Sequence, residues 1–219
     1  MLGKEANAYD GMITCSTTFG KGICRLVWDM DKAETDRYLQ LALSEIPEDF
    51  SGKLLEVPVG TGVLTMPMYQ ALPNAEVTCL DYSAEMMATA QKRAKLFGLK
   101  NIRFLQGDVG ALPFPDNSFD IVLSLNGFHA FPDKESAYRE IFRVLNPGGI
   151  FCGCFYIRDE TPRTDRWIHR FYEPRGFFTP PYETVASLKT RLAGMYDRVT
   201  LDTVKSIAAF SCQKEGTAQ

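Results

Sequence analysis

A glycine-containing turn follows the first strand-like segment of the chain. The segment ends in Glu56-Val57-Pro58-Val59-Gly60-Thr61-Gly62 and continues directly into a helical pattern. Glycines at the carboxyl end of a first strand let a ligand approach the backbone closely. A tight strand-to-helix turn without a ligand is the alternative, because glycine serves such turns equally well.

A carboxylate stands at the end of the next strand-like segment. Asp81 closes the run Cys79-Leu80-Asp81 and lies 21 residues after Gly60. A carboxylate in this place can accept hydrogen bonds from both hydroxyls of a ribose. A cap for the following helix is the alternative, but Ser83 is already suited to that role. Asp81 therefore indicates a ribose-containing ligand.

Two later motifs accompany the ends of further strands. Gly107-Asp108-Val109 follows the third strand-like segment, and Phe119-Asp120 opens the fourth. Polar groups at successive strand ends converge on the crevice where doubly wound folds bind ligands. We therefore expect these motifs to share one crevice with the glycine turn and Asp81.

The elements that must position these residues alternate along the middle of the chain. Apolar runs such as Ile121-Val122-Leu123 are typical of strands buried on both faces. Strands that alternate with helices imply a parallel sheet covered by helices on both sides. The predicted strands are Lys53–Val57, Glu76–Leu80, Ile102–Gln106, Phe119–Ser124 and Ile150–Ile157, and the predicted helices are Val63–Ala71, Ala84–Phe97 and Lys134–Val144.

We predict a single α/β domain over residues 1–219, with a Rossmann-like, doubly wound, mostly parallel sheet of seven strands, an antiparallel last strand and a helical cap. The expected parts are an N-terminal cap segment (1–50, with a helix at Lys32–Ile46), a core (51–157), a lid insertion (158–195, with helices around Pro180-Pro181) and closing strands (196–219, with Arg198–Val204 and Ile207–Gln213).

The combined motifs resemble the motif series of class I S-adenosylmethionine-dependent methyltransferases. The motifs are Glu56…Gly60-x-Gly62, Asp81, Gly107-Asp108, Phe119-Asp120 and Asn146-Pro147-Gly148-Gly149, which span about half of the chain. The combination is much more specific than any one motif. The stretch Tyr9-Asp10-x-Met12…Arg25-x-x-Trp28 is similar to the opening of the ubiquinone/menaquinone C-methyltransferases within that class.

The resemblance implies S-adenosyl-L-methionine as the cofactor and assigns roles to the matching positions. Asp81 would hold the ribose, and Asp108 with the Val109 amide would recognise the adenine. Gly60 and its neighbours would pass beneath the methionine portion, and Glu56 would order that loop or a bridging water. The implied cofactor-binding residues are Glu56, Val57, Pro58, Gly60, Gly62, Asp81, Tyr82, Met86, Gly107, Asp108, Val109 and Leu125. For Met86 a place in the core is an equally good interpretation.

Pro58 departs from the family pattern, which has glycine at this position. Proline lacks the backbone N–H and fixes φ near −65°. Either the loop is re-shaped and still binds cofactor, or binding is weakened. Because the other motifs remain in order, we favour a re-shaped, working site.

The acceptor side is expected after the fourth strand. His129 lies there, and with an ordinary pKa of about 6.5 it could serve as a catalytic base. A histidine that positions the acceptor, or that lies on the surface, is the alternative. The predicted walls of a largely apolar pocket for a small apolar or aromatic acceptor are Tyr9, Trp28, Trp167, Phe171 and Phe178.

Composition and charge exclude several classes of partner. Hydrophobic residues make up 45% of the chain and charged residues 23%, and the net charge of −3 leaves no electrostatic footprint for nucleic acid. No signal peptide or membrane span is apparent, so we expect a cytoplasmic protein. Contact of the arginine-rich lid with a membrane surface, and a homodimer, stay open.

The cysteines favour reduced thiols and no metal site. Cys79, Cys152 and Cys154 lie in apolar strand-like runs, where free cysteine packs well. The Cys152-x-Cys154 spacing and a content of two histidines do not suit a zinc site.

Two rival functions remain. A nicotinamide-dependent oxidoreductase also has a glycine turn and an acid after the second strand, although it has no need of Gly107-Asp108. A non-catalytic member of the methyltransferase fold is compatible with Pro58. The sequence does not identify the methyl acceptor or the accepting atom.

Overall fold

A seven-stranded sheet forms the centre of the computed structural model, which describes residues 10, 11 and 13–216. The strand order is β3-β2-β1-β4-β5-β7-β6; β1 to β5 pair in parallel and β7 runs antiparallel to both of its neighbours. This confirms the predicted sheet. The strands are β1 (Lys53–Glu56), β2 (Glu76–Asp81), β3 (Ile102–Gln106), β4 (Phe119–Leu125), β5 (Leu145–Tyr156), β6 (Arg198–Val204) and β7 (Ile207–Gln213).

Helices precede the sheet and connect most of its strands, and most helices begin at a side-chain cap. Asp31 forms a capping box with Glu34, and Ser83, Asp133 and Thr184 cap later helices. The helices are α1 (Thr18–Ile23, continued by a π-helical turn Cys24–Trp28), α2 (Lys32–Leu43), α3 (Thr65–Gln70), α4 (Ala84–Leu96), α5 (Lys134–Val144), α6 (Pro162–Trp167, continued by a π-helical turn Ile168–Tyr172) and α7 (Val185–Ala193).

The sheet is buried on both faces because its strands are apolar on both sides. Leu54 and Leu55 are adjacent in β1 and fully buried, yet they belong to two separate clusters. The cluster around Leu54 includes residues of α2, α3 and α4, whereas the cluster around Leu55 includes residues of α5 and α7. Covering of both faces is what the continuous apolar runs predict.

The topology creates a crevice at one edge of the sheet. β1 lies between β2 and β4, so the chain passes from β1 to β2 on one side and reaches β4 on the other. Ligands bind outside the carboxyl ends of the strands at such a switch point. The candidate motifs after β1, β2 and β3 all fall on this edge.

Two of the six cysteines depart from the expected reduced state. Cys15 and Cys24 form a disulfide, whereas Cys79, Cys152, Cys154 and Cys212 are free and buried. The expectation of reduced thiols is therefore wrong for the N-terminal pair. The turn before α1 brings the two Cα atoms to 6.5 Å, within disulfide range, which spacing in the sequence alone does not reveal.

Within the described residues, no helix is long and apolar enough to cross a membrane.

Candidate functional site

A cavity of about 50 Å³ opens at the carboxyl ends of β1 and β4. Its walls are the end of β1, the glycine turn, the residues after β4 and one residue of the N-terminal segment. They comprise Ile13, Glu56, Pro58, Val59, Gly60, Thr61, Gly62, Val63, Leu64, Thr65, Leu125 and Asn126. The structure thus brings Glu56, Pro58, Gly60, Gly62 and Leu125 together, as a shared ligand site requires.

The turn needs its glycines for conformational and steric reasons. Gly60 and Gly62 have φ values of +56° and +67°, in the left-handed region that favours glycine. A Cβ at Gly62 would also lie 2.8 Å from the Met66 side chain. Only a residue without a side chain lets α3 approach the turn this closely.

Glu56 presents a buried carboxyl group to the cavity. The residue is 2% exposed, and the Tyr69 hydroxyl donates a hydrogen bond of 2.9 Å to its Oε2. Burial raises the pKa of Glu56 to about 8, so the carboxyl is mostly protonated at neutral pH. The buried Thr65 hydroxyl is near the same carboxyl but makes no hydrogen bond of regular geometry. The protonated carboxyl and the nearby hydroxyls suit a ligand that carries both hydrogen-bond donors and acceptors.

Asp81 fastens the glycine turn to the start of α4. Its Oδ2 accepts a hydrogen bond of 2.7 Å from the Gly60 N–H, and its Oδ1 accepts one of 2.8 Å from the Ser83 N–H. Burial raises the pKa of this carboxyl, which is 6% exposed. Ser83 caps α4, as expected, so Asp81 is not the capping residue. Each oxygen keeps a lone pair for a ligand hydroxyl.

The neighbouring residues Tyr82 and Met86 differ in exposure. The Tyr82 side chain is 79% exposed and Met86 is half-buried. Both lie on the Asp81 side of the crevice, at the start of α4. Val57, by contrast, is buried against the α5 side of the sheet and donates its N–H to the Leu123 carbonyl.

Gly107 and Asp108 lie beside the Asp81 strand end. The Gly107 N–H donates a hydrogen bond of 3.0 Å to the Asp81 carbonyl. Asp108 begins the short 3-10 turn Val109–Ala111, and its Oδ1 accepts the Gly110 N–H at 2.8 Å. The Val109 side chain is buried. The Asp108 motif is thus placed next to Asp81, as the sequence predicts.

Asp120 does not belong to this crevice. Its Oδ2 accepts the Lys53 N–H at 2.8 Å, and its Oδ1 accepts the Asn146 side-chain amide at 2.7 Å. Lys53 begins β1 and Asn146 lies near the start of β5. Both partners are therefore at the edge of the sheet opposite the crevice. The expectation that Asp120 joins the ligand site is wrong, because it opens β4 rather than ending it.

Pro58 is accommodated by a glycine on the facing loop. The Val57–Pro58 peptide bond is cis, and a Cβ at Gly127 would overlap the Pro58 ring. Gly127 therefore provides the space that the proline ring needs beside the cavity.

His129 lies in an aromatic cluster that joins the core to the lid. Its ring stacks on Phe178 at 4.0 Å with an interplanar angle of 13°, and Trp28 and Tyr156 also contact Phe178. Burial, with a smaller contribution from the charge of Lys134, lowers the pKa of His129 to about 3. The imidazole is therefore neutral at physiological pH. Its Nδ1 accepts a long hydrogen bond of 3.5 Å from the Tyr156 N–H, which leaves its proton on Nε2.

The predicted acceptor walls fall into two groups. Trp28 and Phe178 lie with His129, whereas Trp167 and Phe171 pair with each other at 4.7 Å, and Phe171 is 39% exposed. Tyr9 lies outside the described residues. The rings near the catalytic candidate are thus Trp28 and Phe178, with Tyr156 as a residue that the sequence reasoning missed.

A buried polar cluster above the glycine turn was also missed. Asp10, Thr61 and Arg93 are between 2% and 8% exposed and hydrogen-bond to one another. Asp10 was noted in a motif, but its sequence separation of 83 from Arg93 hides the pairing. Within residues 10, 11 and 13–216, no group of side chains could hold a metal ion.

Known proteins resemble the chain over this region. Residues 54–149 match the family described as "Methyltransferase domain". A demethylmenaquinone methyltransferase of Thermus thermophilus is 42% identical over 113 residues, which are 52% of this chain and 49% of that protein. The chain spans about half the length of the curated relatives it matches.

Solved structures share the fold. A SAM-dependent methyltransferase of Aquifex aeolicus is 18% identical, with a TM-score of 0.59, over 78% of this chain and 86% of that one. The cyclase SpnF is 20% identical, with a TM-score of 0.68, over 83% of this chain and 81% of that one. At these identities the likeness shows the fold alone.

Proposed function

We propose that this chain transfers a methyl group from S-adenosylmethionine to a small apolar or aromatic acceptor. The match of residues 54–149 to the methyltransferase-domain family supports this proposal. One observation carries this proposal: Glu56, the glycine turn and Leu125 line a single cavity at the switch point of the sheet. Asp81 is hydrogen-bonded to the same turn.

The residues present fit the cofactor. Asp81 would hold the ribose hydroxyls, Asp108 and the Val109 amide the adenine, and Glu56 with the buried Thr65 hydroxyl the methionine portion. When bound, the cofactor supplies an electrophilic methyl group on sulfur. The left-handed glycines leave the backbone of the turn open to it.

The contribution of the chain to methyl transfer is alignment and exclusion of water. An in-line displacement needs the acceptor atom held opposite the bond that breaks. We place one wall of the acceptor pocket at the rings of Trp28, Tyr156 and Phe178, which pack against one another next to His129. Such a wall favours a flat, mostly apolar acceptor over a charged one.

Within this proposal, His129 acts as a neutral residue that positions the acceptor. A group whose pKa is about 3 is a weak base at neutral pH, and its Nε2–H is a hydrogen-bond donor. This N–H group can orient an oxygen atom of the methyl acceptor, while Phe178 stacks against one face of the imidazole ring. Catalysis by His129 as a base remains the alternative that a pH–rate profile decides.

Two alternative functions predict different results in ligand-binding experiments. A nicotinamide-dependent oxidoreductase would bind NAD in place of S-adenosylmethionine. A non-catalytic member of the methyltransferase fold would bind S-adenosylmethionine without transferring the methyl group.

The test is an assay for S-adenosylhomocysteine with a panel of aromatic acceptors. The panel includes demethylmenaquinone, after the name of the relatives, together with phenols, small quinols and charged acceptors of similar size. We expect turnover with at least one apolar aromatic compound and none with its charged counterpart. Turnover restricted to charged acceptors would contradict the acceptor class, and cofactor binding without turnover across the panel would favour the non-catalytic alternative.

A further inference from the structure

Three buried polar residues form a closed network above the glycine turn. Asp10 Oδ1 accepts a hydrogen bond of 2.5 Å from the Thr61 hydroxyl, and Asp10 Oδ2 pairs with Arg93 Nη2 at 2.6 Å. Arg93 Nη1 donates to the Thr61 carbonyl. We refer to Asp10, Thr61 and Arg93 as the clasp.

The clasp joins three segments that are distant in sequence. Asp10 belongs to the N-terminal segment, Thr61 to the glycine turn, and Arg93 to α4. Ile13, three residues after Asp10, forms part of the cavity wall. The clasp therefore holds the N-terminal segment where it closes one side of the cavity.

The clasp also fixes the glycine turn at a point where the backbone would otherwise be flexible. Thr61 lies between two glycines with positive φ, and such residues have the greatest conformational freedom. The Gly60 N–H is held by Asp81, and the Thr61 carbonyl is held by Arg93. Asp81 precedes α4 and Arg93 lies within it. This part of the chain therefore fixes two consecutive residues of the turn, Gly60 and Thr61.

The burial of this ion pair requires an explanation beyond stability. Removing two charges from water is costly, and apolar residues of similar size often stabilise a protein as well or better. Here the charges are 8% exposed, and both residues hydrogen-bond to Thr61, which lines the cavity. A positioning role accounts for their location.

We propose, building on the proposed function, that Asp10 and Arg93 are positioning residues for the methionine portion of S-adenosylmethionine. The clasp sets the orientation of the Thr61 peptide group and the place of Ile13, and both belong to the wall of the cavity that contains Glu56. The ribose and adenine side of the site depends instead on Asp81 and Asp108.

Because the clasp acts on the methionine side of the site, its loss should weaken the binding of S-adenosylmethionine but not that of adenosine. Arg93→Lys keeps a positive charge near Asp10 but lacks the fork that reaches Thr61 as well. Asp10→Asn keeps the size of the side chain and removes its charge. Both variants should weaken S-adenosylmethionine binding by about tenfold or more, the effect of a lost charge-assisted hydrogen bond, and should leave adenosine binding within about twofold.

The matched control is Arg191→Lys. Arg191 pairs with Glu135 and Glu183 at α5 and α7, away from the cavity. This variant disturbs a more exposed arginine–carboxylate pair outside the cavity wall and should change the affinity for neither ligand. Equal losses for S-adenosylmethionine and adenosine in the clasp variants would show a merely structural role and overturn the proposal, as would unchanged affinity for both.

A second measurement does not depend on any ligand. Hydrogen exchange in the ligand-free protein should be faster at residues 59–65 and 13–16 in both clasp variants, with the exchange of β4 and β5 unchanged. Unchanged exchange in the turn would overturn the proposal even in a chain that binds no S-adenosylmethionine. Failure of the wild-type chain to bind S-adenosylmethionine would instead refute the proposed function, so the two failures are distinct.

Discussion

Replacement of Asp81 tests whether one carboxylate both fastens the turn and holds the cofactor. Each of its oxygens accepts a backbone hydrogen bond, from Gly60 at 2.7 Å and from Ser83 at 2.8 Å. Asp81→Asn keeps one acceptor oxygen, so one buried N–H loses its partner, which costs about 1–3 kcal/mol of stability. Asp81→Ala leaves both N–H groups unpaired and should cost about 2–6 kcal/mol.

The affinity for S-adenosylmethionine should fall in parallel. Loss of a hydrogen bond to a charged group corresponds to about 1.5–3 kcal/mol, or roughly 10- to 150-fold in Kd. Urea denaturation measures the stability and titration calorimetry the affinity, with Asp36→Asn as the control because Asp36 lies in an exposed pair with Lys32. A folded Asp81→Asn variant with the affinity of the wild type would refute the ribose role. An Asp81→Ala variant as stable as the wild type would refute the fastening role.

Three further predictions follow from the same site. Glu56 holds its proton up to a pKa of about 8 in the folded chain and only to about 4.5 when unfolded. Stability should therefore fall as pH rises between these values, by at most about 1.4 kcal/mol per pH unit. Urea denaturation from pH 5 to 9 should show this slope in the wild type and no such slope in Glu56→Gln. Parallel stability curves for the two proteins would contradict the prediction. Pro58→Gly should keep the fold, change cofactor affinity modestly and lose about 0.4–1 kcal/mol of stability or more, as checked by calorimetry and urea denaturation; a large gain in affinity would favour the non-catalytic alternative. His129→Ala should lower the methyl-transfer rate by less than about 100-fold without changing cofactor affinity, because a neutral His129 positions the acceptor; a loss of about 10²–10⁴-fold that tracks an ionisation between pH 5 and 8 would identify a base instead.

The sheet and the cofactor side of the site could be predicted because their signals are local. The strand ends of β1, β2 and β3 carry Glu56, Asp81 and Asp108 within short motifs, and the topology brings these ends to one edge. Ser83 was identified as the cap of α4 from its position alone. Asp120 was misplaced because a motif residue that opens a strand lies at the opposite edge from one that follows it.

The parts that could not be predicted depend on contacts between distant segments. The pairing of Asp10 with Arg93 and the place of Tyr156 beside Phe178 arise only when the N-terminal segment, α4 and the lid pack together. Periodicity gave Trp167 and Phe171 a shared helix face, and the two rings do pair, but it did not show that Phe178 is the ring that stacks on His129. The neutral state of His129 likewise results from burial, which the residue type does not report.

The most direct test of the central claim is a calorimetric titration of the purified chain with S-adenosylmethionine, with NAD titrated under the same conditions. The cavity lined by Glu56, the glycine turn and Leu125, with Asp81 beside it, predicts saturable binding of S-adenosylmethionine and none of NAD. Binding of NAD without binding of S-adenosylmethionine would contradict the account.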